Sequence, residues 1–169
     1  MKKNGFTFIE LLIYIALVSV LATVSVLFVT NVTSSRVKVK VQEEVMYSAR
    51  FLSERIGREI RGASAITSLA ANDLCLVMVD AARNPTRIYL SAGRARIGWG
   101  GGGACSATTN NYDLTGPDIT VNSLGFVNLT SGLSENIDYS ISISGKNINN
   151  RQEWIFDTSL EGSSEIRTN

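Results

Sequence analysis

Residues Phe6 to Val29 read FTFIELLIYIALVSVLATVSVLFV, and this stretch decides the fold. It is almost wholly apolar, and at 1.5 Å per residue it covers about 36 Å as a helix, enough to cross a hydrocarbon core of about 30 Å. The block before it, Met1-Lys2-Lys3-Asn4-Gly5, is short, basic and free of acid, the pattern expected of a cytoplasmic flank. An ordinary secretory signal has a shorter apolar region closed by small residues of the A-x-A kind, and no such site closes this one. Inside the apolar run sits one carboxylate, Glu10. A carboxylate in hydrocarbon costs a few kcal/mol or more, so it requires a compensating partner or must reach the interface.

Beyond Thr30 the pattern becomes one-sided. Val37, Val41, Val45, Ala49, Leu52, Ile56 and Ile60 recur at three- and four-residue steps and predict one apolar stripe of a helix. Arg36, Lys38, Lys40, Glu43, Glu44, Arg50, Glu54, Arg55, Arg58, Glu59 and Arg61 occupy the other positions and read as a solvated face, with Glu54 and Arg58 spaced for an i,i+4 pair. No proline falls between Phe6 and Arg61, so one continuous helix is expected, ending near Gly57 to Gly62, where glycine weakens it.

From Ala63 the character shifts to short β-rich runs separated by Gly, Asn, Asp and Ser. Strands are expected at Leu74–Asp80, Thr86–Ser91, Arg94–Trp99, Ile119–Leu129, Ile137–Ser144 and Trp154–Leu160, with a hairpin turn at Asp80–Pro85. Ile137, Tyr139, Ile141 and Ile143 alternate with Asp138, Ser140, Ser142 and Ser144, as a strand with one wet face should. The fold class is therefore α+β, a long N-terminal helix packed on an antiparallel β-sheet. The organisation expected is a leader at 1–5, a membrane or filament-core helix at 6–29, its amphipathic continuation at 30–62, and a β-rich head at 63–169.

Composition narrows the function. The chain has 169 residues, no histidine and a formal net charge of +1. The commonest general base and zinc ligand is thus absent, and nothing draws the whole chain to an anionic surface. No catalytic residues, metal or cofactor are expected. Cys75 and Cys105 are too far apart for a C-x-x-C knuckle. They can form one disulfide if the head lies in an oxidising compartment, or remain two separate thiols.

The string Lys2-Lys3-Asn4-Gly5-Phe6-Thr7-Phe8-Ile9-Glu10 resembles the N-terminus of the type IV pilin and pseudopilin family: a basic leader ending in glycine, then phenylalanine, then an apolar stretch with glutamate at its fifth position. The resemblance implies cleavage between Gly5 and Phe6 by a prepilin peptidase and N-methylation of Phe6. It further implies that the new ammonium of Phe6 in one subunit neutralises Glu10 of another. The implied partners are other pilin or pseudopilin subunits, the prepilin peptidase and inner-membrane assembly machinery, with the head held outside the cytoplasm. The run Arg50-Phe51-Leu52-Ser53-Glu54-Arg55-Ile56-Gly57-Arg58-Glu59-Ile60-Arg61 and the missing proline between Phe6 and Val29 make it most similar to minor subunits, the J-type pseudopilins or W-type minor pilins.

Other features have competing readings. Arg83, Arg87, Arg94 and Arg96 suit a phosphate-binding patch, which makes a tip adhesin or a DNA-binding minor pilin of an uptake pilus the alternative function, but they equally suit a solvated sheet edge. Gly100–Gly103 lacks the Lys-Ser or Lys-Thr of a phosphate loop and reads as a surface loop. Asn110, Asn111, Asp113 and Asp118 fit no calcium spacing. Trp99, Phe126, Tyr139, Trp154 and Phe156 are expected in the core or on a sheet face.

Overall fold

The computed structural model describes residues 7–101, 104–129, 135–147 and 150–166. Helix α1 runs unbroken from Phe8 to Arg61 over 54 residues. Thr7 precedes it in extended conformation, and Gly62 closes it by donating its N–H to the Arg58 carbonyl. Gly57 does not interrupt the helix; it lies buried within it, its carbonyl accepting from the Ser164 hydroxyl.

Antiparallel strands follow. β1 (Ala63–Ala70), β2 (Asp73–Met78), β3 (Thr86–Ser91), β4 (Arg94–Trp99) and β5 (Asn110–Asp113) form one sheet in sequence order. β6 (Ile119–Asn128), β7 (Asn136–Gly145) and β8 (Asp157–Glu165) form a second. Where one sheet is expected from the sequence there are thus two, divided at the Gly116-Pro117 turn. Backbone bonds from Val121 N–H to Gly93 and from Phe126 N–H to Ala71 stitch them together.

The core lies between the distal half of α1 and both sheets. Val41, Val45, Ala49, Leu52, Ile56 and Ile60 of the helix pack with Leu74, Leu76, Ile88 and Ile97 of the first sheet and Val121, Phe126, Ile137, Ile141 and Ile143 of the second. Phe126 and Tyr139 are buried, and Trp99, Trp154 and Phe156 pack against the same cluster.

Three strands differ from the sequence reading. β1 has no clean alternation, and its pairing with β2 carries two register shifts. β5 is exposed throughout and is not among the strands expected from the sequence. β8 begins at Asp157 and continues to Glu165, while Trp154 belongs to a short 3-10 turn at Gln152–Trp154. Its inward positions include Gly162, where a Cβ would meet the Tyr139 ring at 2.5 Å, and Ser164. Strands whose inner face is filled by a neighbour's side chain show no apolar period. The Asp80–Pro85 connection contains another 3-10 turn, Ala81–Arg83, capped by the Asp80 carboxylate accepting from Ala82 N–H.

Candidate functional site

The proximal half of α1 is the least protein-like surface of the molecule. Every residue from Phe8 to Val29 is exposed, and the helix has an apolar window of mean hydropathy 2.7 with none of it buried. Head packing on the helix begins near Val37 and Val41. Phe8 to Arg36 therefore projects as a rod of about 43 Å. A helix satisfies its own backbone groups, and the side-chain hydroxyls here are satisfied as well. Ser19, Thr23, Ser25, Thr30, Thr33, Ser34 and Ser35 each donate to a carbonyl three or four residues back. The polar atoms of these side chains are thereby made compatible with an apolar surround.

Glu10 lies in the first turn of α1, the only acidic residue there, and its backbone N–H bonds to Thr7. The location complements the positive end of the helix dipole. Its side chain is exposed among Phe8, Ile9, Leu11, Ile13 and Tyr14. Gly5 and Phe6, the cleavage and methylation positions implied by the resemblance, lie outside the described residues.

The distal half of α1 carries a charge that the sequence reading misplaced. Glu59 is not on the solvated face: its side chain is 1% exposed, and its Oε1 accepts from Arg55 Nη2 and Arg83 Nη2, both at 2.9 Å. Glu59 follows directly on the stripe residue Ile56 by three, so the apolar stripe is wide enough to enclose it. The Arg55–Glu59 pair, rather than Glu54–Arg58, is the i,i+4 ion pair that α1 shows among the described residues. Glu59 Oε2 and Arg55 Nε remain buried without a protein partner. Arg83 also stands 5.2 Å from the centroid of Trp99, whose ring stacks on Tyr112 at 5.0 Å. A buried carboxylate with two arginines adds little net energy but is costly to break. Here it ties the end of the helix to the β2–β3 connection and the rim of the first sheet.

The other three arginines of the proposed patch are likewise paired. Arg87 donates to both oxygens of Asp73 and covers Tyr89. Arg94 and Arg96 both engage Asp113, at 2.6 and 2.7 Å. The hydrogen bond from Arg94 holds the Asp113 carboxyl below its ordinary value against an opposing desolvation, helped by the hydrogen bond and charge of Arg96. A phosphate-binding surface presents uncommitted cations, whereas these meet carboxylates of their own chain.

Cys75 in β2 and Cys105, which opens a 3-10 turn at Cys105–Ala107, form a disulfide with Cα atoms 6.0 Å apart. It fastens the polar connection between β4 and β5 across the first sheet. Among the described residues no group of three or more Cys, Asp or Glu side chains is placed to hold a metal ion.

Residues 1–26 match the model of the prokaryotic N-terminal methylation motif. No curated protein and no solved structure matches the chain. The matched segment, with the long apolar helix and the antiparallel sheets behind it, supports a type IV pilin-like precursor of the kind processed by a prepilin peptidase.

Proposed function

We propose that this chain is a structural subunit, a minor pilin or pseudopilin, of a type IV pilus or type II secretion filament. The observation that carries the reading is the apolar half of α1, uncovered by its own head and bearing Glu10. A surface of that length is stable in only two places, a bilayer or the interior of a bundle of like helices. Prepilin peptidase cleaves after Gly5 on the cytoplasmic side and methylates the amine of Phe6. The subunit waits in the inner membrane as a single pass, head outward. On extraction by the assembly machinery, Glu10 pairs with the Phe6 ammonium of a neighbouring subunit, which fixes register more than it adds stability. The absence of a proline between Phe6 and Val29 favours a minor subunit.

Intact mass of the protein recovered from cells with active prepilin peptidase tests the processing step. The expected species lacks Met1–Gly5 and carries one methyl group on Phe6; a retained leader overturns the reading. Glu10→Ala is expected to insert and be processed normally while failing to enter filaments, and normal assembly of that variant would remove the proposed role of Glu10.

A further inference from the structure

Three acids are matched by the chain's own arginines: Asp73 by Arg87, Asp113 by Arg94 and Arg96, Glu59 by Arg55 and Arg83. The outward face of the second sheet carries two acids in a different setting. Asp138 on β7 and Glu161 on β8 are diagonal neighbours, since Asp138 pairs with Ser163 and Ser140 with Glu161. Neither acid forms an ion pair among the described residues. Together with Val127, Ser140 and Ser163 they line a groove whose floor is cleared by Gly125, where a Cβ would come within 2.5 Å of Ser140 Oγ. Val127 is 57% exposed at its rim.

A surface of matching form occurs on the same chain. Val32, Arg36, Val39 and Lys40 share one face of the neck of α1, beside a shallow groove, with Glu43 at its upper end. Arg36 and Lys40 form no ion pair among the described residues, and Val39 is 52% exposed. Side chains one helical turn apart have Cβ atoms roughly 5–6 Å apart, and diagonal cross-strand neighbours roughly 7 Å. Two cations and two carboxylates thus have nearly equal spacing, each pair beside exposed valine.

One copy cannot bring the two together. Tyr139 hydrogen-bonds Ser53, and Ser164 bonds Gly57, so the groove lies level with that part of α1. The Arg36–Lys40 strip lies about 25 Å further down the axis. We propose that the Asp138–Glu161 groove of one copy docks the Arg36–Lys40 strip of a second copy, displaced axially by about 25 Å. The docking rests on the filament reading only in needing copies side by side.

The test uses two full-length copies with different tags and isotopic labels, co-expressed and kept in their membranes. Zero-length carboxyl–amine coupling is expected to join Lys40 of one copy to Asp138 or Glu161 of the other. The copies are expected to co-purify, and Asp138→Lys with Glu161→Lys to reduce that at least tenfold. Pairing this variant with a copy carrying Arg36→Glu and Lys40→Glu should restore it. The milder Asp138→Asn with Glu161→Gln, checked for an intact Cys75–Cys105 disulfide, should also weaken association. Co-purification untouched by the reversals, a loss the reciprocal reversals do not restore, or coupling only to a different subunit or to none overturns the proposal. The intact-mass measurement on Phe6 is independent of all these outcomes, so failure of docking and failure of the filament reading are told apart.

Discussion

Phe8–Val29 and Val37–Ile60 are parts of one unbroken helix, yet they obey different rules. The distal part has one apolar stripe, and the head buries it: Val45, Leu52, Ile56 and Ile60 are fully enclosed. The proximal part is apolar on every side and its own chain buries none of it. The difference teaches that the same secondary structure is stabilised by tertiary packing in one half and by a surround supplied from outside in the other. Stability of the head should therefore depend on the distal half alone, and assembly on the proximal half.

That contrast can be broken by substitution, measured by denaturation of the full chain in detergent with tryptophan fluorescence as the signal. Leu52→Ala should cost the most, about 2–5 kcal/mol, because the site is enclosed by helix and sheets and collapses poorly. An effect under about 1 kcal/mol would mean that the head does not rest on this stripe. Glu59→Gln should come next, at roughly 1–3 kcal/mol, since it leaves Arg55 and Arg83 without a carboxylate in a largely enclosed site; both arginines retain partial solvent access, which moderates the loss.

A smaller effect is expected from acid. The Asp113 carboxyl is held below its ordinary value in the folded head. Its contribution is therefore fully present above the unfolded value near 4 and is lost as pH falls through the lower folded value. The site is open to solvent, so Asp113→Asn should abolish only a slight acid sensitivity, well under about 1 kcal/mol. The smallest effect belongs to the other half of the helix. Leu17→Ala should leave the head's unfolding midpoint unchanged, and a shift comparable to that of Leu52→Ala would erase the distinction between the halves.

The helix was legible because its two periodicities are written in side chains that depend on no distant partner. The stripe from Val41 to Ile60 is buried as its spacing implies, and β3 and β4 have the bounds that their composition suggests. Glu59 was misread because a charged residue between stripe positions looks solvated until Arg83, 24 residues away, is seen to reach it. The far part of β8 was misread because Gly162 and Ser164 face inward, against Tyr139 and the Gly57 carbonyl. The arginine cluster left a phosphate patch and a solvated sheet edge both open because Asp73 and Asp113 reach it only by strand pairing.

By itself the sequence determined the things set by local order: a basic N-terminal block, a carboxylate at Glu10, an uninterrupted apolar helix and its amphipathic extension. Each depends on residues near one another in the chain. Tertiary structure decided what depends on distant residues meeting: the division into two sheets, the enclosure of Glu59, the union of Cys75 with Cys105, and the contrast between the arginine-paired Asp73 and Asp113 of the first sheet and Asp138 and Glu161 of the second. Burial and charge compensation are properties of neighbours in space, and only the fold makes Asp113 a neighbour of Arg94 while leaving Asp138 and Glu161 without one among the described residues.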